Sequence, residues 1–548
     1  MSTVKERKKE YLDEWRSRIK TAERSRDTAG KVWDKHIGFY KNKMWSNVDE
    51  KVRDDLATVN MVYPLVSIIL ETTYNRNPYI YIRPTRPEFI MAAQVLEFLV
   101  NHIWYDLKID KQIRRCIKNA TIMGVGPLEL GYSGRYESGQ IQPHDMPYVR
   151  YTSPKDFITD SECKTFDDEQ SLFRGVKRKV AYSQFKEMYP DAAKLLKPKM
   201  QEILRKADTD INTKVWADGI PPWSRVEYWQ IQDLLSNRFY MIHNELDEFI
   251  NVVKNPFNME GFLSEVLTFN EIPDELWPMS DITPIEYQIK EMNKMRTFMM
   301  RHWKKSNDIY LANKDIYTDE DLNKIVGADD IEYVRVSDTD PANLHLLERG
   351  KISSDFYEHH AAIQADTREI SGINEYYKGG SVPGTKTAFE TRQIQGGTAV
   401  RLQGHAREVT NFVESVARKL IQIVKDYYTL PIVTQIAGEK GALYWREFSR
   451  EEIQAEVDVR VTLGDTMPPD EAQDRMLAPQ FYQLLRQDPM LDQRKVLRRT
   501  MDMWGVKNFD DSWWAEGVPP EPMQPNATGN NQGSNEAQGH MRMMSGGM

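Results

Sequence analysis

The sequence predicts a mixed α+β chain, rich in helix, on three observations. Apolar residues recur at spacings of three and four through long stretches, most regularly at Val409, Val413, Val416, Leu420, Ile423 and Tyr427, which reads as a helix with a packed seam. Short runs at Val226 to Gln230, Arg238 to Ile242 and Val457 to Leu463 read as strands, and they do not alternate with helices as a βαβ series would. Hydrophobic residues make up 40% of the 548, ample for a sizeable core and for roughly three to four domain-sized units.

A net charge of −9 and a pI near 5.8 argue against a protein that coats itself in nucleic acid through a large basic surface, while leaving room for a basic patch or a ring of contacts. Cys116 and Cys163 lie far apart with no Cys/His clustering, so neither a disulfide framework nor a zinc site is expected, and a reducing compartment fits. The N-terminus is charged from Lys5 onward. The longest apolar run, Met61 to Leu70 with Pro64 inside it, is too short to cross a bilayer, so no membrane partner is expected.

Taken in order, residues 1–43 hold thirteen Lys or Arg and seven Asp or Glu in a helical register, with Tyr11, Trp15 and Trp33 as apolar points. That reads as a solvated amphipathic helix, with a nucleic-acid or scaffold contact as the second reading. Val59 to Tyr74, Ile90 to Leu107 and Ile113 to Ile122 are apolar-periodic helices, the first two separated by a proline-punctuated segment. Gly124-Val125-Gly126 reads as a turn and not as a phosphate cradle. Strands follow at Leu128 to Tyr132 and Tyr148 to Tyr151, then a helix from Tyr182 to Leu196.

The chain is organised around Asp281 to Tyr428. Thr283, Pro284 and Glu286 have the form of an N-cap, a first-turn proline and a capping-box carboxylate. Ile285, Ile289, Met292, Met295, Met299 and Trp303 then mark the buried stripe of a helix about 33 Å long. Ser306 to Gly350 is a polar insert with nine Asp or Glu against two Lys or Arg between Asp315 and Asp340, and an edge-type strand at Ile331 to Val336. A second helix, Ser353 to Glu369, leads back to a glycine-rich loop. From Lys386 to Tyr428 the pattern is again helical, about 64 Å if straight, with a kink expected near Gly396, Gly397 and Gly404. Two further helices, Glu471 to Arg486 and Gln493 to Met503, precede a tail from Pro519 whose composition is that of a disordered segment.

Catalytic signatures are missing. Gly379 to Thr387 is one residue out of register for a phosphate-binding loop, and His359-His360 lack a third ligand at metal spacing. No GxSxG, HExxH or DxDxDG pattern occurs, so no enzyme, cofactor or metal site is expected.

A capped helix, an acidic insert, a returning helix, a glycine-rich loop and a very long helix, in that order, resemble the portal (head–tail connector) proteins of tailed bacteriophages. Tyr151-Thr152-Ser153-Pro154-Lys155-Asp156-Phe157-Ile158-Thr159-Asp160 is similar to the family's Pro-x-Asp-Phe segment. Trp277-Pro278-Met279-Ser280 before Asn293-Lys294-Met295-Arg296, and Gly384-Thr385-Lys386-Thr387-Ala388, also fit. The resemblance covers about residues 55 to 515.

It implies a wing over 1–280, a stem helix over 281–305, a clip over 306–350, a returning stem helix over 351–370, a tunnel loop over 371–384, a long kinked helix with wing strands over 385–465, and crown-like helices over 466–515 before the tail at 516–548. It further implies a homododecameric ring at one capsid vertex, which passes double-stranded DNA without sequence preference. The implied partners are the terminase large subunit, head–tail adaptor and tail proteins, and capsid and scaffolding proteins. On this reading Lys378 and Lys386, with Tyr376 and Tyr377, face DNA in the tunnel loop, and Asp319, Glu320, Asp321, Asp329 and Asp330 form the docking face of the clip, where acidic charge repels phosphate. The other readings are a non-portal virion protein, such as a capsid or adaptor component, and a DNA-packaging ATPase, which would need the phosphate loop that is broken here.

Overall fold

The computed structural model describes residues 4–45, 48–49, 53, 56–75, 77–84, 90–133, 146–167, 170–206, 220–257, 259, 261–304, 309–313, 332–336, 345–347, 354–372, 388–427, 457–461, 479–480, 482–486, 496–497 and 500–501. The chain divides into two units, Met1–Pro468 and Pro469–Met548.

Helix α1 (Val4–Tyr40) opens the first unit. The expected solvated helix is corrected by its burial: Leu12, Trp15, Ile19 and Ala22, spaced three, four and three, lie at 0–1% exposure, and Trp33 and Phe39 are buried further along. Most charges occupy the remaining face, and Arg26, buried on the stripe itself, is paired with Asp27, so this helix is core. Removing Trp15, which packs edge-on against Phe173 with ring centroids 5.4 Å apart, would cost about 3–5 kcal/mol.

Helix α2 (Val62–Thr73), strand β1 (Ile80–Pro84), helix α3 (Ile90–Asp106) and helix α4 (Ile109–Met123) follow. Gly124 ends α4 in the left-handed region, with φ +86°. Gly126 is not part of a turn. It lies inside strand β2 (Val125–Ser133), where a Cβ would stand 2.3 Å from the Cys116 carbonyl oxygen, so glycine is what lets the strand press against the helix it has just left.

The remaining strands of this region are β3 (Met146–Tyr151), β4 (Phe157–Thr159) and β5 (Phe173–Ala181). Helix α5 (Tyr182–Met188) and helix α6 (Pro190–Lys206) replace the single helix expected from Tyr182, because Pro190 is favoured in a first turn and not in an interior. Then come β6 (Arg225–Asp233), β7 (Arg238–Ile242), β8 (Asn251–Lys254), β9 (Ser264–Thr268), β10 (Asn270–Ile272) and β11 (Glu275–Met279). Strands β4-β5-β6-β7-β8 form one antiparallel sheet, β3-β2-β9 another, and β10-β11 a hairpin. The five-stranded sheet is covered on both faces: Trp229 and Ile231 pack with the first half of α1, while Val226 and Tyr228 pack with α5 and α6.

A 3-10 turn at Thr283–Ile285 leads into helix α7 (Glu286–Lys304), which is therefore about 28 Å long and shorter than expected. Strands β12 (Ile309–Asn313), β13 (Glu332–Val336) and β14 (His345–Leu347) form a small sheet in the order β13-β12-β14, with β12 and β13 parallel. The strand expected within the acidic insert is thus present, and at a sheet edge. Helix α8 (Ser354–Ser371) returns, packing Ile363 against Met292, Met295 and Met299 of α7. Trp303, expected on that stripe, is instead 77% exposed.

Helix α9 (Ala388–Tyr427) runs 40 residues through Gly396, Gly397 and Gly404 without a break in helical assignment. Val409, Val413, Val416, Leu420 and Ile423 are all fully buried. The expected helix-on-helix seam is broader than that, because it packs on α2, α3 and the β3-β2-β9 sheet in the largest apolar cluster of the described residues. Strand β15 (Val457–Val461) pairs with β1 in antiparallel register, Ile80 opposite Val461. In the second unit, the described residues 479–480, 482–486, 496–497 and 500–501 are helical, as expected over both segments. The tail lies outside the described residues.

Candidate functional site

The helix pair α7/α8 is rooted in the first unit by polar side chains whose sequence neighbours give no hint of their partners. The Ser280 hydroxyl stands 2.9 Å from Nδ1 of fully buried His36 and 3.1 Å from the Thr283 hydroxyl, and it accepts the Ile282 N–H at 3.3 Å. The Asp281 N–H donates to the Thr121 carbonyl at 3.2 Å, and its Oδ1 lies 2.9 Å from both Asn270 Nδ2 and His405 Nε2. The loop before α7 is therefore held at once by α1, α4, β10 and α9.

The expected capping box is corrected here. Residue Ile282, not Thr283, stands at the N-cap position of the 3-10 turn and makes no side-chain cap, while Thr283 bonds Ser280. Glu286 does not reach back to the backbone. Its carboxylate takes Lys35 of α1 and Lys290 of its own helix, and lies 3.5 Å from His36 Nε2, too far for a normal hydrogen bond. Burial alone would push the Glu286 carboxyl up, but Lys290 and Lys35 together outweigh it and hold the group down at about 2. Burial also pushes His36 down, against the opposing pull of Glu286, so this imidazole is kept neutral. One lysine from α1 and one a turn along the same helix beat a backbone cap because each contributes a full charge at hydrogen-bond distance.

Farther along α7, the Asn293 carboxamide oxygen accepts the Val59 N–H at 2.6 Å and the Thr297 hydroxyl accepts the Ala57 N–H at 3.1 Å. These polar residues on the apolar stripe fasten the extended segment before α2. Above them Phe298 stacks on Phe356 of α8, centroids 5.1 Å apart and planes 11° from parallel, and Glu291 meets His359 Nε2 at 2.9 Å. His359 is exposed on the helix surface, as its sequence context suggests. Large apolar groups of the pair are exposed: Tyr287 and Trp303 at 77%, Tyr357 at 59% and Phe298 at 49%.

A groove of about 730 Å³ opens beside the root, between α1, residues 161–164 and the β10-β11 hairpin. Trp33 and Trp277 meet edge-on in it, 5.2 Å apart. Both cysteines are free and buried, and burial pushes both thiols up, which leaves them unreactive. Among the described residues no group of three or more His, Cys, Asp or Glu is placed to hold a metal, and no described helix is long and apolar enough to cross a membrane. The tunnel-loop residues Tyr376, Tyr377, Lys378 and Lys386 and the clip residues Asp319, Glu320, Asp321, Asp329 and Asp330 lie outside the described residues.

The described elements define a mixed α+β chain with a rooted antiparallel helix pair and a small three-stranded sheet. Residues 12–262 match the family model of the phage P22-like portal proteins. The recognition of a phage portal protein is thereby borne out, and the matched stretch takes in the Pro-x-Asp-Phe segment, which folds as a 3-10 turn at Pro154–Asp156 running into β4. Among curated proteins none matches the chain.

Proposed function

We propose that this chain is the portal subunit of a tailed phage: copies close into a ring at one capsid vertex, DNA enters and leaves through the central channel, and terminase and then tail or adaptor proteins dock on the ring. The family match over residues 12–262 carries this reading. The antiparallel pair α7/α8 with a small sheet between its two helices in the chain supports it, since that is the order expected of a stem and clip. In this reading the acidic insert 306–350 docks proteins and turns DNA away, because like charges repel and each phosphate contact would have to displace them. The loop before α9 meets DNA through Lys378 and Lys386, giving many weak, sequence-blind contacts around a ring. The subunit acts mechanically and catalyses nothing. Negative-stain imaging of the purified chain tests the proposal: rings with a central hole are expected, and a monomer at every concentration and with capsid proteins present would overturn it.

A further inference from the structure

The groove beside the root combines an apolar lining with an acidic rim. It follows α1 from Ser25 to His36, a length of about 17 Å, which is three helical turns or about five residues of extended chain. Val32, Trp33, Met123, Leu276, Trp277 and Met279 supply the apolar surface. The Trp277 ring is held in place there. Its indole N–H donates to the Ser25 hydroxyl at 3.0 Å, and Trp33 and Phe166 meet it edge-on with centroids 5.2 and 5.7 Å away.

Carboxylates stand on two of the walls. Strand β10 pairs Ile272 with Glu275 of β11 across the turn Pro273-Asp274, where Asp274 takes a φ of +64°, so the hairpin tip carries adjacent acids. Lys164 forms an ion pair with Asp274 and so ties the segment 161–164 to that tip, which brings Glu162 to the same end of the groove. The pair neutralises Asp274. Among the described residues Glu162 and Glu275 take no cation, and both are exposed.

We propose that this groove docks a short basic, amphipathic segment of another protein, its apolar side chains against the two tryptophans and its Arg or Lys side chains on Glu162 and Glu275. An elongated site suits a stretch of chain better than a compact small molecule, and about 730 Å³ is ample for several side chains. Burial of apolar surface supplies the attraction, and the unpaired carboxylates select the sign of the partner's charge. A guanidinium has a second reason to settle here, since the face of an indole attracts a cation. The same carboxylates turn phosphate away, so this surface is no path for DNA. Docking here uses no residue of the acidic insert 306–350 and needs no ring.

The test uses the full chain and fluorescein-labelled synthetic peptides, read by fluorescence anisotropy at low salt. A helical Leu/Arg peptide is the probe, with Leu/Glu and Leu/Ser peptides of equal length as controls. The Leu/Arg peptide is expected to bind at least about tenfold more tightly than either control, and to slow amide exchange over residues 161–166 and 272–283. Glu162→Gln combined with Glu275→Gln should weaken its binding about five- to tenfold and flatten the salt dependence. Val32→Arg changes an exposed helix position, where folding tolerates it, and should weaken binding more than about tenfold by placing a like charge in the groove. Leu/Glu or Leu/Ser binding as tight as that of Leu/Arg would overturn the charge selection. Unchanged Leu/Arg binding in both variants would put the peptide elsewhere and overturn the groove. Rings that image normally but bind no peptide would strike this docking site and leave the portal reading standing.

Discussion

Replacing Glu286 by Gln keeps the shape at the root of the helix pair and removes the charge that Lys35 and Lys290 share. Holding the carboxyl at about 2 instead of its ordinary 4.5 corresponds to about 3 kcal/mol, which partial exposure of Lys35 and Lys290 reduces to about 1–2 kcal/mol. The sign follows from the depressed value: the stabilisation is complete above pH 4.5 and is lost as pH falls from there towards 2. His36, kept neutral by burial, adds a loss in the same direction that begins as pH falls below its ordinary 6.5. Amide hydrogen exchange over residues 280–292 reads the effect locally. The Glu286→Gln variant should exchange about five- to thirtyfold faster at pH 7 and should lack the parent's loss of protection between pH 4.5 and 2. Equal protection at pH 7, or the same acid dependence in both proteins, would refute the assignment of Glu286 as the charge centre of the root.

Gly124→Ala places a Cβ 2.4 Å from the Pro278 carbonyl oxygen at a φ of +86°, so thermal melting should show a loss of more than about 2 kcal/mol, whereas an alanine at exposed Ala-free Gly404, where a Cβ meets nothing within 4 Å, should stabilise by about 0.5 kcal/mol. Leu420→Ala empties a fully buried position of the α9 seam and should cost about 2–5 kcal/mol by chemical denaturation. Changing Lys378 and Lys386 to Glu should leave rings intact while altering packaging or DNA retention, most visibly at low salt; unchanged packaging at every ionic strength would remove these lysines from the channel.

Local periodicity made the helices legible, since an apolar stripe at three and four needs no partner to be recognised. Long-range partners were not legible. Strand β1 lies in a segment that reads as proline-punctuated loop, and it is a strand because β15, far along the chain, pairs with it. Strand β5 was hidden by its charges. Arg174 sits in it at 3% exposure, donating to the Ser264 and Phe166 carbonyls with its guanidinium over the Phe262 ring, a burial that no composition rule anticipates. At the root, Ser280 and His36 are 244 residues apart, and a lone serine and a lone histidine carry no signal of each other. The capping box failed in part for the same reason: its residue types were right, and Lys35 of α1, together with Lys290 one turn along, claimed the carboxylate.

Helix α1 serves two apolar clusters with one rod. Its 37 residues span about 55 Å, the first half sealed to the five-stranded sheet through Leu12, Trp15 and Ile19, the second half to the root of α7 through Trp33, Phe39 and Lys35. A straight helix resists bending and stretching far more than a loop does, so it works as a strut between the two. Twisting the helix pair would have to tilt the strut and drag the sheet with it, and a pull on the sheet would arrive at His36 and Ser280. Force applied at either end is thus felt at the other without any ligand or pocket between them.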